Sequence, residues 1–292
     1  MVKAVVMDLD GTLLTSDKIV SIPTKEKLNW LAEKKGVTLV LASGRTKSRM
    51  KDAAEAIQLE QHNGMLIESN GVALYNYKDD SHKIIRKMHD EELAEIVRAL
   101  QKYHCEILIM GDEDVFIMLP EGVKESYYIT QNSNMEGMRN REFFFIDSID
   151  QVTQKVNKIC VYNRSDKIEA LLETLKDETF QYDYWMGRAS PEWLEIMPDG
   201  VSKGHALQKL MEINNWNEDE VVVFGDGEND LSMLKVVTYS VAMDNAMDIV
   251  KDVANYTTAS NDSDGIVEFF NDKEEELLWK LYQVVTLKKK SN

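Results

Sequence analysis

Two carboxylates one residue apart, Asp8 and Asp10, close the apolar run Ala4-Val5-Val6-Met7, and Gly11 and Thr12 follow at once. On an extended segment, side chains at i and i+2 point to the same face. Two anions held that close repel one another, so a positive charge is expected beside them. A hard divalent cation is the simplest candidate, because carboxylate and carbonyl oxygens suit Mg²⁺. Three further segments carry groups that complement the pair. Ser43-Gly44-Arg45 offers a hydroxyl, a backbone amide and a guanidinium; Lys203 offers an ammonium; Asp226, Asn229 and Asp230 offer two carboxylates and an amide. A metal cage, donors for equatorial phosphate oxygens and a fixed positive charge are what phosphoryl transfer requires.

The elements that must position these groups follow from periodicity. Residues 4–7 read as a buried strand, rich in β-branched side chains. Residues 24–35 read as a helix, with Leu28 and Leu31 apolar among charges and Gly36 as its stop. A second strand over 37–42, a helix over about 46–57, a third strand over 65–67 and a hairpin signal at Asn70-Gly71 complete a βαβ rhythm, which predicts a mainly parallel sheet. The rhythm then changes. A helix over 91–103, an antiparallel hairpin from 106–110 and 115–119, a strand over 158–162, a helix over 167–175 and a strand over 180–185 predict an inserted α+β domain at 85–187. Residues 1–84 and 188–292 then form a Rossmann-like, three-layer α/β core. In that core the sequence predicts a strand at 193–197, a helix from Lys203 to about 213, strands at 221–224 and 239–242, a helix from Leu231, and helices near 246–250 and 265–270. A charged helix over 273–287 and a solvated lysine tail at 288–290 finish the chain. All four reactive segments fall at the carboxyl end of a predicted strand or at the mouth of the helix that follows, the edge where open α/β sheets bind ligands.

These segments also carry a family resemblance. Asp8-Leu9-Asp10-Gly11-Thr12-Leu13, Ala42-Ser43-Gly44-Arg45, Asn70-Gly71, Gly200-Val201-Ser202-Lys203-Gly204 and Gly225-Asp226-Gly227-Glu228-Asn229-Asp230, in that order over nearly the whole chain, resemble the motifs of haloacid dehalogenase (HAD) superfamily phosphatases. The branch is the Cof type, with a cap domain inserted after the third strand. The resemblance implies that Asp8 attacks phosphorus and forms an aspartyl-phosphate, so that one hard displacement becomes two easier ones. Asp10 would protonate the leaving alcohol and then deprotonate the hydrolytic water. Mg²⁺ would be held by Asp8, the backbone carbonyl of Asp10 and Asp226, with Asp230 orienting those ligands. Ser43, the amide of Gly44 and Lys203 would hold the phosphoryl group, Lys203 also pairing with Asp8, while Arg45, Asn70 and Asn229 line the site. One departure stands out: Met243-Asp244-Asn245-Ala246 replaces the Met-Gly-Asn-Ala of many relatives. The extra carboxylate either alters substrate contacts or caps the next helix, and Asn245 is not placed in the site.

The implied activity is Mg²⁺-dependent hydrolysis of small phosphorylated metabolites: sugar phosphates, or esters such as pyridoxal phosphate or flavin mononucleotide. The cap is expected to close over the site, exclude bulk water and disfavour phosphoproteins, with residues such as Arg188 as candidates for choosing the substrate. A phosphomutase of the phosphomannomutase type is the alternative, and a non-catalytic regulatory protein a third reading, against which the intact Asp8, Asp10, Lys203 and Asp226 weigh. Spacing alone decides little, since Asp262-Ser263-Asp264-Gly265 repeats the Asp-x-Asp-Gly pattern with no sustained apolar strand before it and reads as a loop and helix cap. A calcium-loop reading of Asp8 fails, because Ile19 stands where the bidentate glutamate belongs. Gly225 and Gly227 lack the third glycine of a dinucleotide fingerprint, Asp230 standing in its place. The aromatic residues Tyr182, Tyr184, Trp185 and Trp193 are expected to pack at the domain junction.

Composition agrees. The 292 residues are 43% hydrophobic and 29% charged, with a formal net charge of −17. Such a far field repels phosphate backbones and anionic membranes, so nucleic acid and membrane partners are not expected, while a small phosphorylated metabolite needs only a local pocket of cations. No apolar run approaches the ~20 residues that span a bilayer. The immediate entry into a strand leaves no room for a signal peptide, and Cys105 and Cys160 lie outside any metal-ligand spacing. A cytoplasmic location is expected; oligomeric state is not encoded in any of these features.

Overall fold

The computed structural model describes residues 1–132, 142–273 and 277. The chain divides into two compact units, Met1–Lys83 with Ser202–Asn292, and Ile84–Val201.

The first unit is built on an eight-stranded sheet. Its strands are β1 (Ala4–Met7), β2 (Thr38–Ala42), β3 (Met65–Glu68), β4 (Ala73–Asn76) and β5 (Ser81–Ile84), then β12 (Val221–Gly225), β13 (Tyr239–Ala242) and β14 (Tyr256–Thr257), in the spatial order β14-β13-β12-β1-β2-β3-β4-β5. From β14 to β3 all pairs are parallel, whereas β4 returns antiparallel to β3. Ala4, Val5, Val6 and Met7 have no solvent exposure, as befits a central parallel strand covered on both faces. Helices α1 (Ile22–Lys35), α2 (Lys47–Ala56), α6 (Lys203–Asn214), α7 (Leu231–Leu234), α8 (Asp248–Val253) and α9 (Gly265–Asp272) accompany this sheet. α1 begins where the Ser21 side chain accepts from the Thr24 amide and stops at Gly36, whose left-handed φ of 68° suits a glycine C-cap.

The second unit has a six-stranded sheet of order β10-β11-β9-β6-β7-β8, made from β6 (Ile107–Met110), β7 (Val115–Met118), β8 (Phe143–Phe145), β9 (Lys158–Tyr162), β10 (Tyr184–Ser190) and β11 (Trp193–Pro198). Alternation divides its faces. Ile107, Ile109, Ile159 and Val161 pack with helices α3 (Asp90–Gln101) and α5 (Ser165–Lys176), while Leu108, Met110 and Cys160 face the other way, with Tyr128 of α4 (Tyr127–Asn132).

The strand at 193–198 corrects the expected domain boundary. It pairs antiparallel with β9 and β10, so the second unit runs to Val201 rather than 187. An apolar alternation specifies a strand but not the sheet that accepts it. Two of the aromatic residues expected at a junction pack within the second unit: Trp193 lies 5.3 Å from Tyr128 and 5.8 Å from Tyr162, and Tyr184 stacks edge-on with Phe180. The expected helix over 273–287 and tail at 288–290 lie, apart from Lys273 and Leu277, outside the described residues. Among the described residues no helix is long and apolar enough to cross a membrane.

The start of α6 depends on close contact with α7. A Cβ on Gly204 would stand 2.2 Å from the backbone oxygen of Ser232, and the Gly204 amide donates to Ser232 Oγ at 3.0 Å. Gly204→Ala should therefore cost about 1–3 kcal/mol through overpacking. Urea denaturation checks this, and an unchanged midpoint would show that the two helices can part.

Candidate active site

Strand register sets the site. Met7 of β1 lies opposite Phe224 of β12 on one side and Leu41 of β2 on the other. The next residues along each strand are therefore Asp8, Gly225 and Ala42, and Asp226 and Ser43 follow immediately. The order of connections reverses about β1, the crevice where parallel sheets place ligands.

Lys203 is the first residue of α6, whose N-cap Ser202 accepts from the His205 amide at 3.1 Å. A cation at a helix N-terminus opposes the helix dipole, and this one has no solvent exposure at all. Two carboxylates offset both costs. Nζ donates to Asp8 Oδ1 at 2.5 Å and to Asp230 Oδ1 at 2.6 Å. Burial opposes the ammonium's charge, but Asp230 and then Asp8 outweigh it and hold the pKa above the usual lysine value.

Asp230 is fully engaged, since its Oδ2 also accepts the amides of Asp226 (2.9 Å) and Gly227 (3.0 Å). It thereby fixes the turn that presents Asp226. Asp226 Oδ1 accepts the Thr12 hydroxyl at 2.7 Å. Gly11 packs against the same carboxylate with φ of 83°, and a Cβ there would lie 2.3 Å from Asp226 Oδ2. Only glycine fits that approach in that backbone region. Carboxylate oxygens of Asp8, Asp226 and Asp230 lie within 4.8 Å of one another. Burial, then the charge of Asp230, pushes Asp226 up to about 7; burial likewise raises Asp8 well above the usual carboxylate value, against the pull of Lys203. Hard oxygen donors in excess of the local positive charge fit a divalent cation such as Mg²⁺.

Asp10 differs from the sequence expectation. The strand ends at Met7, so the alternation that would aim Asp8 and Asp10 alike does not continue. Asp8 is buried with Lys203, whereas the Asp10 side chain is 43% exposed and meets other cations. Arg45 grips it with two bonds, Nε to Oδ2 at 3.0 Å and Nη2 to Oδ1 at 2.6 Å, and Lys18 Nζ reaches Oδ1 at 3.0 Å. Burial pushes the Asp10 carboxyl up, but Arg45 and then Lys18 outweigh it and hold it below its usual value. Arg45, expected to line a phosphate site, is thus engaged with Asp10.

The remaining expected residues lie along the same sheet edge. Ser43 is buried, its Oγ accepting the Arg45 amide at 3.2 Å, with Gly44 between them. Asn229 Nδ2 donates to Asn70 Oδ1 at 3.2 Å, joining the turns after β12 and β3. Asp244 is an exposed residue 4.0 Å from Lys251, and α8 begins only at Asp248, so Asp244 does not cap it. Arg188 lies half-buried on β10 of the second unit. Sequence reasoning did not single out Thr12 or Lys18, and it left Asn245 out of the site. Thr12 stands within the Asp8–Leu13 motif, but nothing in pattern or spacing marks Lys18.

The chain is similar to known proteins over nearly its whole length. The family model of haloacid dehalogenase-like hydrolases matches residues 5–270. The chain is 26% identical over 276 residues to the 5-amino-6-(5-phospho-D-ribitylamino)uracil phosphatase YitU of Bacillus subtilis, covering 92% of this chain and 96% of that one. It is 27% identical over 272 residues to the pyridoxal phosphate phosphatase YbhA of Escherichia coli, covering 91% and 97%. The crystal structure of a haloacid dehalogenase-like hydrolase from Bacteroides thetaiotaomicron aligns with a TM-score of 0.76 at 27% identity, over 93% of this chain and 99% of that one.

The raised Asp226 pKa has a stability consequence with a definite sign. Between pH ~4 and ~7 the metal-free folded protein keeps a proton that the unfolded chain has lost, so stability falls as pH rises through that window. Calorimetry in EDTA should show a midpoint falling from pH 5 to pH 8, with a shallower fall in Asp226→Asn. Mg²⁺ should raise the wild-type midpoint more at pH 8 than at pH 5. Equal slopes in the two proteins would contradict the assignment.

Proposed function

The chain belongs to the haloacid dehalogenase-like hydrolases and is a phosphoric monoester hydrolase, and we propose that it hydrolyses small phosphorylated metabolites through an aspartyl-phosphate on Asp8. The observation that carries this reading is the buried Lys203 ammonium shared by Asp8 and Asp230, beside the Asp226 carboxylate. It holds one oxygen of Asp8 in place, and among the described residues Asp8 Oδ2 takes no hydrogen bond, leaving it for an incoming phosphorus.

Asp8, Asp226 and the backbone carbonyl of Asp10 are the groups we assign to Mg²⁺, with Asp230 fixing Asp226 from behind. When bound, the metal would let an anionic phosphate approach an anionic nucleophile. Lys203, the Ser43 hydroxyl and the Gly44 amide are assigned to the transferring phosphoryl group, where positive charge and donors match the equatorial oxygens. Asn229 and Asn70 are assigned to the rim of that pocket. Asp10 is assigned the proton transfers. Its ion pairs with Arg45 and Lys18 disfavour the protonated form, so a phosphate dianion that draws those two cations toward itself would free Asp10 to take up the proton it must deliver.

The relatives' named substrates, pyridoxal phosphate and a phosphorylated ribitylaminouracil, favour phosphate esters of small ring-bearing metabolites over macromolecular ones, with sugar phosphates in the same size class. Cys105 and Cys160 are both buried free thiols, which suits the reducing cytoplasm. Asp8→Asn should cut phosphate release from p-nitrophenyl phosphate by about 10³-fold or more with an unchanged circular dichroism spectrum. A panel of phosphorylated metabolites, assayed with Mg²⁺ and with EDTA, should give free phosphate only with the metal. Wild-type turnover in Asp8→Asn would sink the mechanism, and isomerised ester in place of phosphate would make the protein a mutase.

A further inference from the structure

Asn245 belongs to the segment after β13, yet its side chain reaches the loop after β1. Nδ2 donates to the backbone oxygen of Gly11 at 2.7 Å, and Oδ1 accepts the amide of Asn261 at 3.0 Å. Asn261 in turn donates from Nδ2 to the backbone oxygen of Leu14 at 2.8 Å. The next residues extend the same fastening. Asp262 accepts the amide and hydroxyl of Ser16 at 2.7 and 2.6 Å, and Asp264 accepts the hydroxyls of Ser21 and Thr24. The stretch from Gly11 to Thr24, a loop that runs into the start of α1, is thus tied at several points to the segment Asn245–Asp264. It carries Thr12, which binds Asp226, and Lys18, which binds Asp10.

We propose that Asn245, backed by Asn261, is a positioning residue for phosphoryl transfer, holding the Gly11–Leu14 turn so that Asp10 and Thr12 keep their places beside Asp8 and Asp226. This rests on the phosphatase reading above. The peptide that Asn245 grips is the one between Gly11 and Thr12. Its orientation sets the Thr12 hydroxyl on Asp226, and Gly11 already lies against that carboxylate on its other side. Displacement of the turn that carries this peptide would move Thr12 and Asp10 together.

Asn245 is exposed and Asn261 half-buried. Such bonds compete with water and add little to stability. Their effect on rate is of another kind, because a misplacement of about 1 Å at reacting groups can cost up to about 10²-fold. Loss of the clamp should therefore appear in kcat rather than in thermal stability or KM.

The test compares wild type, Asn245→Ala, Asn261→Ala and the double variant, with p-nitrophenyl phosphate and Mg²⁺. Each single variant should lose about tenfold in kcat with KM within about twofold and a midpoint within about 2 °C. The double variant should lose little more than either single one, since both residues act on one turn. Hydrogen exchange of amides 11–18 should quicken in Asn245→Ala without substrate or metal. Wild-type kcat in Asn245→Ala, additive losses in the double variant, or unchanged exchange would each overturn the proposal. Should the wild type itself release no phosphate, the phosphatase reading falls and takes this proposal with it; turnover in wild type and Asn245→Ala alike defeats this proposal alone.

Discussion

A lysine ammonium with no access to water, held between two aspartates, is the constraint on which the rest of the structure turns. An unpaired charge in that position would cost several kcal/mol, and removing either partner would leave the other group uncompensated. The chain meets this requirement with three separate elements. β1 delivers Asp8, the start of α6 delivers Lys203, and the turn after β12 delivers Asp230. Gly204 lets α6 approach α7 closely enough to bring the lysine in, and the Ser202 cap fixes where that helix begins.

The same constraint separates the environments of the first two aspartates. Asp8 is tied to the buried lysine and has one oxygen committed. Asp10, two residues on, has left the strand and answers to Arg45 and Lys18 at the edge of solvent. One carboxylate sits in a fixed, water-poor place suited to nucleophilic attack, and the other sits where protons can be exchanged. The opposite directions of their pKa shifts express this difference in environment, burial dominating at Asp8 and cations at Asp10.

Much of this was legible in the sequence because the chemistry is concentrated in short motifs at strand ends. An apolar run followed by acids or a Ser-Gly turn specifies both an element and its edge, and Asp8, Ser43, Asp226 and Asp230 were picked out that way, Lys203 by its place at the opening of a helix. What escaped was information carried by distant partners. The strand at 193–198 looks alike whichever sheet receives it, and only its pairing with β9 and β10 assigns it to the second unit. The direction of Asp10 depends on where β1 stops, and a glycine turn four residues past Met7 does not fix that to within one residue. Lys18 and Asn245 make bonds with no period to read: Lys18 turns back onto Asp10 within the loop after β1, and the contact of Asn245 emerges only once that loop is seen against the segments after β13 and β14.

The central claim is that Asp8 becomes covalently phosphorylated. It is tested most directly by quenching the enzyme in acid during turnover with Mg²⁺ and a phosphomonoester, reducing with borohydride and mapping peptides by mass spectrometry. An acyl-phosphate on Asp8 would be converted to homoserine at position 8. Homoserine at any other aspartate, or none at position 8 under conditions of rapid turnover, would contradict the account.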